Sequence, residues 1–149
     1  MREQDYLDVA EHLHEVHPIL DQFSRVHGFN RVNPGALGRY PRIRIARGDQ
    51  PRIWFDLWLG EDEHGNRFDK FRRDLPYDLS CGATVDLEER PGQWIRMGKA
   101  VHCFKGRPFD EVPSTLLAEM ERELPMLESW DTDYLMKYGQ RIELRGSPR

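Results

Sequence analysis

Four groups of residues in this sequence have types and spacings that chemistry can use. The first is the histidine cluster His12, His14 and His17, set among Glu11 and Glu15. On a helix turning about 100° per residue, His14 and His17 fall close together and His12 lies on another side. Two neutral imidazoles at that spacing begin a metal site, which still needs a ligand from elsewhere. A solvated helix flank explains them as well, and Glu15 suits it. The letters Glu11-His12-Leu13-His14-Glu15 are not the HExxH of a zinc protease. No metal and no cofactor is expected.

The second group is acidic: Asp56, Glu61, Asp62, Glu63 and Asp69. Paired carboxylates can hold Mg²⁺ or work as an acid and a base, the basis of a metal-assisted hydrolase. A nuclease of the Asp, then Glu-x-Lys kind wants a lysine in phase. Asp86-Leu87-Glu88-Glu89-Arg90 offers an arginine, in what reads as a turn. Acid-rich loops that keep a sheet protein dissolved are the simpler account, and no catalytic residue is assigned.

Nucleophiles form the third group. Cys81 and Cys103 fall on the apolar phase of their strands, which makes them small core residues and not reactive thiols. There is no Gly-x-Ser-x-Gly, and Gly35-Ala36-Leu37-Gly38 is too short to read as a phosphate loop.

The fourth group is a basic band. Arg31, Arg39, Arg42, Arg44, Arg47 and Arg52 lie between positions 31 and 52 against a single acid, Asp49. With Trp54 and Trp58 beside them, they can form a stacking and phosphate-contact platform for single-stranded nucleic acid. The competing reading, which is favoured, has these arginines pairing with Asp56 and the acidic loops and stacking on the tryptophans of their own chain.

The elements that must position these groups follow from periodicity. Ile53, Phe55, Leu57 and Leu59 alternate with Trp54, Asp56 and Trp58, so one face of this strand is core and the other carries two large aromatics around a carboxylate. Before it, Arg42–Arg47 alternates Ile43 and Ile45 with arginines. After it, Leu79, Cys81, Ala83, Val85 and Leu87 form a long strand. Arg90-Pro91-Gly92 turns that strand into a return from Trp94 to Phe104, with Lys99 out of phase and Gly98 a candidate bulge. Tyr6, Val9, Leu13, Val16, Leu20 and Phe23 mark an opening helix that kinks or restarts at Pro18 and stops at His27-Gly28.

Residues 29–41, rich in Pro and Gly, read as a loop, and 67–71 as a short strand. A helix from Pro113-Ser114 carries Leu116, Leu117, Met120, Leu124 and Leu127, with Pro125 bending or ending it. A short helix from Asp131 to Tyr138 closes at Gly139. Arg141–Arg145 is a last edge strand, and the tail from Gly146 is loose.

The fold class expected is α+β: a single antiparallel sheet of four to six strands built from hairpins, with N-terminal and C-terminal helices on one face. Its 149 residues form one domain. The apolar fraction of 38% is low, but the aromatics argue against disorder. A net charge of −4 gives no general pull toward nucleic acid or an anionic membrane. Met1–Asp5 leads into no apolar run, so neither a leader nor a membrane span is expected, and two cysteines make no disulfide framework. That points to the cytoplasm.

Register follows from keeping the isoleucines on the core face. The tightest hairpin sets Arg47 opposite Pro51, Ile45 opposite Ile53 and Ile43 opposite Phe55. Arg44 then faces Trp54 and Arg42 faces Asp56. With Leu87 opposite Ile95, Cys81 faces Val101 and Cys103 faces Leu79, so both cysteines are buried and reduced. Cross-strand diagonals lie about 7–8 Å apart, too far for a disulfide. The function favoured is non-enzymatic binding of another protein, by an adaptor, chaperone or toxin-neutralising module, with a nucleic-acid or anion binder as the alternative. Arg42, Arg44, Trp54, Asp56 and Trp58 are the candidate binding residues. Self-association is open.

Overall fold

The computed structural model describes residues 16–32, 42–59, 79–103 and 112–143. The first described helix, α1 (His17–His27), begins with Pro18 in its first turn, where a missing N–H costs nothing. It ends at Gly28, whose φ of 76° is the left-handed cap that glycine adopts without strain. Six strands follow: β1 (Asn30–Val32), β2 (Arg42–Gly48), β3 (Arg52–Leu59), β4 (Leu79–Arg90), β5 (Gln93–Cys103) and β6 (Gln140–Glu143). Helices α2 (Val112–Ser129) and α3 (Thr132–Tyr138) intervene between β5 and β6. The strands form one antiparallel sheet in the order of the chain. The α+β class, the single sheet and its flanking helices are as expected.

One apolar core joins the helices to the odd-numbered sheet face. Ile43, Ile45, Ile53, Phe55, Leu57, Cys81, Ala83, Val85, Leu87, Ile95 and Val101 are buried with Leu20 and Phe23 of α1, Leu116, Met120, Leu124 and Leu127 of α2, and Leu135 of α3. Phe23, Phe29 and Phe55 close one end, with ring centroids 5.3–5.6 Å apart. Pro125 does not end α2, which runs on to Ser129. The stripe from Leu116 to Leu127 holds both sides of the proline against one core, and that burial outweighs a lost helix bond. Lys99, the misfit of β5, meets the buried Glu123 of α2 at 3.3 Å.

Three expectations are corrected. Residues 30–32 form an edge strand where a loop was expected. All three side chains are exposed, so the segment has no apolar alternation to reveal it. The β2–β3 hairpin pairs Gly48 with Arg52, two residues away from the tightest register. Ile45 therefore faces Phe55, Ile43 faces Leu57, Arg44 faces Asp56 and Arg42 faces Trp58. Pro51 has no N–H for a ladder. Gly48 takes φ 79°, and a Cβ there would come within 2.9 Å of the Pro51 carbonyl oxygen. Together they set the turn at Asp49-Gln50-Pro51.

In the β4–β5 pair, Leu87 faces Ile95 as expected, but the bulge falls between Cys81 and Gly82, not at Gly98. Gly82 faces Ala100 and Cys81 faces His102, so Val101 is the extra residue and Cys103 faces Ser80. Asp86 lies inside β4, and Arg90 is its last residue, next to the turn at Pro91-Gly92, as expected. Residues 1–15, residues 33–41 including Arg39, Glu61, Asp62, Glu63, Asp69 and 67–71, and the tail from Gly146, for which expectations were stated, lie outside the described residues, as do the side chains of Arg42, Trp58, Leu59, Leu79 and Cys103.

Candidate functional site

The even-numbered sheet face carries an arginine, tryptophan and carboxylate network. Strand alternation puts Arg44, Arg52, Trp54, Asp56, Asp86, Trp94 and Arg96 on that face, and register sets them in rows. Arg44 lies opposite Asp56. Arg52, Asp86 and Arg96 lie in line across β3, β4 and β5.

Asp86 is the centre. It is fully buried, yet its carboxylate accepts from Arg52 Nε and Nη2 at 3.3 Å, from Arg96 Nε at 3.3 Å and from Trp54 Nε1 at 3.1 Å. Donors from three directions replace the water that a buried carboxylate loses. The guanidinium groups also lie over rings: Arg44 is 4.1 Å and Arg96 is 5.7 Å from the Trp54 centroid, and Arg52 is 5.3 Å from that of Trp94. Arg44 donates to Asp56 at 3.4 Å, and Asp56 is itself buried. Three guanidinium groups meet two carboxylates here, and Glu88, opposite Trp94, adds a third carboxylate to the face.

Of the candidate binding residues, Arg44, Trp54 and Asp56 come together. Arg42 and Trp58 pair in register at the far end of the same face. Asp56 lies opposite Arg44 and pairs with it, and Arg44 also lies over the Trp54 ring on the diagonal. Sequence reasoning missed Asp86, Arg96 and Trp94 and did not place Arg52 in the site. The signal was present, because the register that sets Leu87 opposite Ile95 also sets Asp86 opposite Arg96.

The basic band is compensated wherever its side chains are described. Arg31 donates to Asp21 at 3.0 Å and to His17 Nδ1 at 2.7 Å. Arg47 donates to Glu128 at 2.8 Å and to the His27 carbonyl at 2.9 Å. Cys81 is buried and free, and burial, with the nearby Asp56 charge added, pushes its thiol well above the ordinary range. It is a core residue and no nucleophile at neutral pH. Among the described residues no group of three or more His, Cys, Asp or Glu is placed to hold a metal ion, and no described helix is long and apolar enough to cross a membrane. Comparison with protein-family models, with curated proteins and with solved structures gives no match.

Proposed function

We propose that this chain is a non-catalytic, cytoplasmic protein-binding module whose docking surface is the arginine–tryptophan face of the sheet. One observation carries the reading. Trp54, only partly buried, is held in place by its bond to Asp86 and lies within cation–π range of Arg44 and Arg96. Tryptophan and arginine are the residues that most often dominate binding energy at protein interfaces. Here their rotamers are fixed beforehand, so little side-chain freedom remains to be lost on docking. A nucleic-acid platform is supported less well, because each described arginine of the 31–52 band already has a carboxylate beside it, and phosphate binding depends on cations that release counterions.

Trp54→Ala tests the reading. Asp86 keeps both arginines in this variant, so circular dichroism should report an unchanged fold. Affinity capture followed by calorimetric titration of the captured protein should show binding weakened at least about tenfold. Unchanged affinity rules out this face. Salt-sensitive binding of single-stranded oligonucleotides that quenches tryptophan fluorescence would replace the proposal with the nucleic-acid reading.

A further inference from the structure

The two edges of the sheet differ. β1 is three residues long, and Arg31 ties it to α1 through His17 and Asp21. β6 pairs with β5 alone among the described residues, from Gln93↔Glu143 to Arg96↔Gln140. Its outer edge therefore presents backbone N–H and C=O groups, the template on which another strand can add.

The sequence of that edge is complementary to itself. An antiparallel copy of β6 centred on Ile142 sets Ile142 opposite the partner's Ile142. Arg141 then stands opposite the partner's Glu143, and Glu143 opposite the partner's Arg141. Both charged side chains are exposed, and a two-fold axis makes the ion pair twice. Arg141 touches Glu89 only at 3.8 Å. Neither charge has to be idle beforehand, because exposed ion pairs exchange at little cost. A cleft of about 310 Å³ at this edge is lined by Trp94 and Ile142 of the even face together with Glu89, Gln93, Arg141 and Glu143 of the odd.

We infer that β6 is a self-association edge, through which two copies of this chain join their sheets antiparallel about Ile142, with Arg141 and Glu143 exchanged between them. Residues directly opposed across an antiparallel pair share a face. Both arginine–tryptophan faces would thus lie on the same side of one continuous sheet. The pairing does not depend on what that face binds.

Sedimentation of the full chain, from low micromolar to near-millimolar concentration, tests it. The unaltered chain should show a monomer–dimer equilibrium. Arg141→Glu and Glu143→Arg, each alone, should raise the dimer dissociation constant about tenfold or more, because like charges then face each other twice. An equimolar mixture of the two variants should recover association, since the reversed charges complement each other across the pair. An unaltered chain that is monomeric throughout would overturn the inference. So would variants that associate as it does, or a mixture that stays monomeric.

Discussion

Ile53, Phe55 and Leu57, on one face of β3, are buried against helices, while Trp54 and Asp56, on the other, are covered by guanidinium groups. Both faces shield large side chains, but they select structure differently. Burial of apolar surface has no direction, and it requires only that odd residues meet odd residues. A slip of two residues between β2 and β3 keeps that parity, which is why the tightest hairpin register satisfies the core as well as the observed one. On the polar face the slip changes partners: it would set Arg44 opposite Trp54 and Arg42 opposite Asp56. The observed pairing sets Arg44 opposite Asp56, while Arg52, Asp86 and Arg96 are aligned by the β3–β4 and β4–β5 registers, which do not depend on it. The apolar face fixes parity, the turn at Asp49-Gln50-Pro51 chooses the register within it, and the charged face takes the partners that this register supplies.

The largest effect should come from the apolar face. Leu57→Ala removes a 2%-exposed side chain from the centre of the core and should cost about 2–5 kcal/mol in a denaturant titration. A loss near zero would mean that the odd face is not what holds the sheet.

Asp86→Asn is the matching test on the other face. It keeps the shape and removes the charge that three donors share. Arg52 and Arg96 are about a quarter to a third exposed, so they can regain water, and the loss should be about 1–3 kcal/mol. A loss equal to that of Leu57→Ala would make this face a second core, unsuited to docking. No loss at all would mean that the network adds nothing to the stability of the sheet.

How much of this was legible depended on the period of each signal. Strands β2 to β5 each carry an alternation of apolar and polar residues, and α2 a stripe of about three turns, so the sheet and its helices could be read. β1 could not, because all its residues are exposed and three residues contain no period. The extra residue at Val101 was equally silent, because a bulge shifts partners without changing the apolar letters nearby. In the site, Arg44, Trp54 and Asp56 were legible from alternation on adjacent strands. Asp86 and Arg96 required carrying the β4–β5 register across to β3, which links residues far apart in sequence. Lys99 looked like an error of phase because its partner, Glu123, sits on a helix that strand alternation cannot locate.

That pair gives the smallest predicted effect, and it tests whether the division between the faces is strict. Lys99–Glu123 is an ion pair on the face that is otherwise apolar. Lys99→Met alone leaves Glu123, 8% exposed, with only the exposed Arg122 beside it at 3.4 Å, and should cost about 1–3 kcal/mol. Glu123→Leu alone frees a lysine whose ammonium can reach water, so the cost should be about 0–1 kcal/mol. The double variant puts two flexible apolar side chains at the margin of an apolar core. Replacing both partners of a buried pair is often neutral or stabilising, so its stability should lie within about 1 kcal/mol of the unaltered chain. A urea-denaturation cycle over the four proteins separates the possibilities. If the double variant loses as much as the two single changes together, the pair is not coupled, and Lys99 owes its place to something other than Glu123. If the double variant gains stability, the odd face prefers to be wholly apolar, and the ion pair serves to fix how α2 sits on β5.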